Sequence, residues 1–127
     1  MISAFIDQQP YRVTHHNGRH EFFADEPADL GGGDTAPTPD ELLEAALASC
    51  TLATLRMYTR HKGWQVGRIT IQVHLTREKE KCIITRNIGF EHPVSELQLQ
   101  RLQQIAKACP VSRTLAAGNE LQVTLQA

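Results

Sequence analysis

The stretch from Thr38 to Gly63 constrains this 127-residue chain more than any other part of it. Thr38 suits an N-cap and Pro39 the first helical position, and Glu41, three residues past the cap, completes a capping box. Apolar residues then recur at Leu42, Leu43, Ala46, Leu47, Cys50, Ala53, Thr54 and Met57, a stripe with helical period. Arg56, Arg60, His61 and Lys62 place positive charge where it complements the helix dipole, and Gly63 suits the C-terminal cap. Small residues at Ala45, Ala46, Ala48 and Ala53 permit close packing on several sides, so the helix is expected in the core.

Strand patterns surround it. Tyr11–His15 and His20–Ala24 flank Asn17-Gly18, the signal of a two-residue type I′ hairpin with positive φ at both central positions. Asp25 to Pro37 reads as a polar loop around Gly31, Gly32 and Gly33, and no Lys-Ser/Thr pair follows to make it a phosphate cradle. Ile69, Ile71, Val73 and Leu75 alternate with polar residues, the pattern of a sheet with one apolar face. A charged turn at Glu78–Lys81 leads to a returning strand, Cys82 to Phe90. Ser95 caps a second helix through Lys107, with Leu99, Leu102, Ile105 and Ala106 inward. Pro110 starts a further turn through Leu115, and Leu121, Val123 and Leu125 suggest a final strand. The order implies a single α+β domain over residues 1–127, with two helices against antiparallel sheets.

A chain of this length buries roughly two-thirds of its unfolded surface and needs no disulfide or metal to fold. The net charge is −1, with no basic stripe interleaved with aromatics, so nucleic acid is not an expected partner. No apolar run approaches membrane-spanning length, and the opening residues do not resemble a signal peptide. A cytoplasmic protein is expected. Three cysteines, an odd number, argue against a structural disulfide framework, so any functional pair would have to cycle. Six histidines occur without metal-site spacing, and neither a metal nor another cofactor is expected.

Chemistry concentrates on the thiols. Cys50 shares the stripe of Leu43, Leu47 and Met57, where a cysteine is ordinarily a small buried hydrophobe. Cys109 lies at a helix junction just before Pro110, where the positive end of a helix dipole lowers a thiol pKa, with Arg113 one turn further on. Both sit on inward stripes of helices that share one small core, and packed helices can meet the Cα separation of about 4.4–6.8 Å that a disulfide needs. Cys82 alternates with Ile84, Ile88 and Phe90 and reads as core filler. His74 and His92 are conceivable partners for Cys50, though both read as solvated.

These residues resemble the OsmC/Ohr family of osmotically inducible and organic-hydroperoxide-resistance proteins. The resemblance spans nearly the whole chain. It rests on Ala24-Asp-Glu-Pro with Leu30-Gly-Gly, on Pro37-Thr-Pro-Asp-Glu-Leu-Leu, on Ala48-Ser-Cys-Thr with Thr54-Leu-Arg-Met-Tyr, and on Cys109-Pro-Val-Ser-Arg-Thr-Leu. It implies an intertwined homodimer in which curved antiparallel sheets wrap a long central helix, with active sites at the subunit interface. It also implies a thiol-dependent peroxidase acting on organic hydroperoxides in particular, hydrogen peroxide being a further candidate substrate, with an external dithiol as reductant. Cys50 would then be the attacking thiol and Cys109 the resolving one, joined after reaction as a Cys50–Cys109 disulfide. Two departures accompany the resemblance: Asp40 stands where the best-studied branch has a glutamate, making it a candidate auxiliary residue, and neither Arg12 nor Arg19 lines up with that branch's N-terminal arginine. The competing reading is a non-catalytic relative that binds a small hydrophobic or acyl ligand at the dimer interface.

Overall fold

Backbone hydrogen bonding divides the chain into short strands, three helices and one long hairpin. The computed structural model describes residues Met1–Gln126. It falls into two compact units, Met1–Ala45 and the remainder from Ala46, with the boundary inside the first helix.

In the first unit, β1 (Ser3–Ile6), β2 (Val13–His16) and β3 (Glu21–Ala24) form an antiparallel sheet in that order. β1 carries no strong alternation in the sequence and becomes a strand by pairing Phe5 with Thr14 and Ile6 with Val13. The β2–β3 connection departs from the type I′ expectation. His16 pairs with Glu21, so the loop holds four residues, and only Gly18 takes positive φ, at 93°. Asn17 shapes this loop through its side chain, because Oδ1 accepts from the amides of Arg19 and His20 at 3.0 and 2.8 Å.

The glycine loop is a packing device. A 3₁₀ turn at Ala28–Leu30 ends on Gly31, whose φ of 89° a side chain would resist. A Cβ on Gly32 would fall 2.0 Å from the Glu26 carbonyl oxygen, so only glycine permits that approach. Buried Asp25 ties the loop together: its carboxylate accepts from the Glu26 amide at 2.8 Å and from the Thr35 hydroxyl at 2.6 Å. Thr35 Oγ1 in turn accepts from Arg12 at 2.6 Å. The Thr35 hydroxyl and the Glu26 amide hold the Asp25 carboxyl below its usual range.

The first helix, α1 (Pro39–Lys62), starts and stops where the sequence predicts. The Thr38 hydroxyl accepts from the Glu41 amide at 3.2 Å, and the Glu41 carboxylate accepts from the Thr38 amide at 3.0 Å. Gly63 ends the helix with φ of 71°. The buried face differs from the expected stripe: it is Leu47, Thr51, Leu55 and Thr59, at strict four-residue spacing. Met57 is 66% exposed and Leu43 is also exposed, while Cys50 is half-buried. Two threonines disguise the true inward row, because their hydroxyls find partners inside the protein: Thr59 donates to the Arg56 carbonyl at 3.2 Å.

In the second unit, β4 (Ile69–Glu78) and β5 (Lys81–Phe90) pair along their whole length as an antiparallel hairpin, from Ile69 with Phe90 to Glu78 with Lys81. α2 (Glu96–Lys107) opens on a reciprocal capping box between Ser95 and Gln98. Leu55, Leu102 and Ala106 form the buried centre, with Tyr58, Trp64, Ile69, Ile88, Phe90, Val94 and Ile105 packed against it. Leu99, expected inward, is exposed, and so is Cys82, which lies near the hairpin tip and beyond that core. α3 (Pro110–Ala117) follows Cys109 directly.

The last segment corrects another expectation. Leu121, Val123 and Leu125 form no strand in this chain and are 87%, 84% and 91% exposed. Alternation marks a segment able to be a strand, but the ladder itself requires a neighbour, and this chain supplies none among its described residues.

Candidate active site

Three elements of the second unit converge on one sulfur. Cys109 is the residue before α3, with Pro110 at the first helical position, and its side chain is wholly buried. Pro110 lacks the N–H that would go unpaired at a helix start, and its φ is preset for the turn, which is why α2 gives way to α3 at this point. Thr51 arrives from the buried row of α1, and its Oγ1 lies 3.6 Å from Cys109 Sγ. Cys50, one residue earlier on α1, is among the groups that lower the pKa of the Cys109 thiol. The two predicted thiols therefore belong to one neighbourhood, although 58 residues lie between them in the chain.

Arg86, from the middle of β5, completes the arrangement. Its Nη1 donates to Thr51 Oγ1 at 3.1 Å and to the Ala106 carbonyl at 3.0 Å, and its Nη2 donates to Ser112 Oγ at 3.1 Å. One guanidinium thus joins α1, the end of α2 and the first turn of α3. Burial pushes the Cys109 thiol up, but the Ser112 amide, the Thr51 hydroxyl, the Cys50 side chain and the charge of Arg86 together bring it below its ordinary value. The Ser112 amide, in the first turn of α3, favours the anionic sulfur, as the start of a helix does an anion.

Arg86 was legible in principle. On β5 it occupies the apolar side of an alternation whose other members are Cys82, Ile84, Ile88 and Phe90. A lone arginine on the inward face of a strand needs a partner, and that is the signal by which the sequence marks it. Arg113, expected to assist Cys109, is exposed. Asp40 stands in the first turn of α1, half-buried, and belongs to the other unit. His74 and His92 are both exposed.

A cavity of about 220 Å³, lined by Leu47, Cys82, Ile84, Arg86, Ser112 and Leu115 among others, reaches the Arg86 and Ser112 of this arrangement. Leu47, Ile84 and Leu115 supply its hydrocarbon, and Arg86 and Ser112 make it polar in comparable measure. A larger concavity of about 750 Å³ lies around the exposed hairpin tip at Glu78–Lys81, where the residues are charged and no thiol is present. No group of three or more histidine, cysteine or acidic side chains among the described residues could hold a metal.

The family model of OsmC-like proteins matches residues 31–124, a span that includes both cysteines. The chain belongs to the OsmC family. No curated protein sequence matches this OsmC-family chain. Solved structures do. The OsmC-like protein of Mycoplasma pneumoniae superposes with a TM-score of 0.73 at 20% identity, over 91% of this chain and 86% of that one. The organic hydroperoxide resistance protein OhrB of Bacillus subtilis gives 0.63 at 21% identity, over 89% and 87%. A candidate osmotic stress induced and detoxification response protein of Psychrobacter arcticus 273-4 gives 0.76 at 20%, over 88% and 85%. At such identities the likeness is one of fold, and it agrees with the mixed helix and antiparallel-sheet architecture described above.

Proposed function

We propose that this OsmC-family protein is a thiol-dependent peroxidase for organic hydroperoxides. One observation carries the reading: Thr51, next to Cys50 on α1, has its Oγ1 3.6 Å from the buried Cys109 Sγ and accepts from Arg86 at 3.1 Å. Cys50, the less buried of the two, attacks the terminal oxygen of the hydroperoxide. The O–O bond breaks, an alcohol leaves, and Cys50 becomes a sulfenic acid. The Cys109 sulfur displaces hydroxide from it to form the disulfide. An external dithiol then restores both thiols by exchange, a step suited to a cytoplasmic setting where dithiols stay reduced.

Leu47, Ile84 and Leu115, in the cavity that Arg86 and Ser112 also line, offer hydrocarbon contact to a peroxide that carries an organic group. Relatives named for organic hydroperoxide resistance share this fold, which supports the same choice. The working form is a homodimer. The bare apolar side of Leu121, Val123 and Leu125, and exposed Met57 on the central helix, are surfaces that a second copy would cover.

The test is an equimolar addition of cumene hydroperoxide to the reduced protein, followed by peptide mapping by mass. The expected product is a Cys50–Cys109 crosslink. Persistence of both free thiols rejects the function.

A further inference from the structure

We propose that the C-terminal end of α1 carries a binding site for a small organic phosphate, separate from the thiols. Arg56, Arg60 and His92 hold the phosphate, and Trp64 packs against the organic body.

A cavity of about 390 Å³ opens there, with Arg56, Arg60, Trp64, Gly67 and His92 among its walls. All of them belong to the second unit. The frame of the cavity follows from how α1 ends. The Gly63 amide donates to the Arg60 carbonyl at 3.1 Å and the Trp64 amide to the Thr59 carbonyl at 2.9 Å, the paired bonds of a Schellman motif. These bonds occupy two carbonyls of the last turn that would otherwise repel an anion. The apolar contact of the motif comes from Trp64 against Tyr58, edge to face with ring centres 5.5 Å apart. The indole is thereby fixed as a wall.

The chain then folds back. Gly67 takes φ of 70°, and a Cβ there would lie 2.9 Å from the His92 ring, so glycine permits that approach. The His92 amide donates to the carbonyl of buried Val66 at 3.1 Å, which ties the imidazole-bearing segment to the turn. Arg56 Nη2 donates to the Gly67 carbonyl from the helix side. A guanidinium has five N–H groups, and this bond uses one of them.

Charge decides the ligand. Arg60 stands one turn beyond Arg56, and its side chain has no hydrogen bond or ion pair among the described residues. Like charges four residues apart on a helix repel. No Asp or Glu lines the cavity, and Glu91, which adjoins Gly67, already accepts from the Arg68 amide at 2.7 Å. A dianion between the two guanidinium groups relieves their repulsion and takes their spare donors in pairs. His92 brings a ring N–H from a second segment of chain. A carboxylate offers two oxygens in one plane, so donors from two segments suit the three oxygens of a phosphate. The cavity exceeds a phosphate group in size, and Trp64 gives the rest of the ligand an aromatic face. The site is distinct from the thiols: Arg60 lies nine residues after Thr51 on α1, about 13 Å along the axis.

Trp64 is the single tryptophan of the chain, so its fluorescence reports on this site. The reduced full-length protein is titrated with phenyl phosphate at constant ionic strength, with benzoate and phenol as controls. Phenyl phosphate should give a saturating change, and both controls should bind at least about tenfold more weakly. Arg60→Ala should weaken phenyl phosphate by about tenfold, the loss of one charge-assisted contact, and Arg60→Lys should recover part of it. Arg56→Met, checked for folding by circular dichroism, should weaken it likewise. Cumene hydroperoxide should crosslink Arg60→Ala as fast as the parent. The proposal is overturned by a response that does not saturate, by phenol or benzoate binding as tightly, by unchanged affinity in both arginine variants, or by slowed crosslinking in Arg60→Ala.

Discussion

At the scale of single residues, Arg86 matters more than its place in the chain suggests. It is one of 13 basic residues of Lys and Arg type, and among the apolar positions of β5 it is the lone cation. Its position gives Cys109 a pH-dependent part in stability. A thiol whose folded pKa is lowered contributes stability that is present above its unfolded value, about 8.5, and lost as pH falls through the folded value. The urea midpoint of the parent should therefore climb relative to that of Cys109→Ser as pH is raised from neutral to beyond the ordinary cysteine range. Parallel curves for the two proteins would mean that Cys109 gains no anionic stabilisation from folding. Little of this was visible beforehand. The helix-end effect on Cys109 follows from Cys-Pro alone, but the stronger partners come from 23 residues upstream and 58 residues upstream, a pairing that only the folded chain reveals.

At the scale of elements, local chemistry proved readable and facing direction did not. The ends of α1 and the start of α2 follow from capping boxes that involve residues three apart, so nothing distant is needed to specify them. The β4–β5 hairpin follows from alternation and a charged turn. The inward row of α1 escaped detection because Thr51 and Thr59 count as polar in any periodicity, while Met57 and Leu43 count as apolar and yet face out. The Asn17-Gly18 turn was misjudged for a similar reason, since the Asn17 side chain takes over part of the bonding that a tighter turn would leave to the backbone. The glycine loop makes a sharp prediction. Gly32→Ala places a methyl on the Glu26 carbonyl, and the backbone shift needed to relieve it should lower stability by about 1–3 kcal/mol, measured by urea unfolding. Gly18→Ala is the control: its new Cβ meets nothing, so it carries only the cost of its φ.

At the scale of the whole molecule, the proposed homodimer makes the unpaired tail meaningful. Sedimentation of the parent should give the mass of two chains. Val123→Asp with Leu125→Asp should shift it toward one, because a charge pair on an apolar strand face opposes burial. A parent that sediments as one chain at all concentrations refutes the assembly. The final strand could not be judged from one sequence for this reason: whether an alternating segment becomes a strand depends on who lies beside it. In the proposed peroxidase cycle, the guanidinium at the centre of the second unit would act beyond the first oxidation. A cation that stabilises a sulfur anion does nothing for a neutral sulfur–sulfur bond, so it tilts the couple toward its reduced side. Within that proposed cycle the disulfide form is on that account a ready electron acceptor, and Arg86 favours its return to the reduced pair.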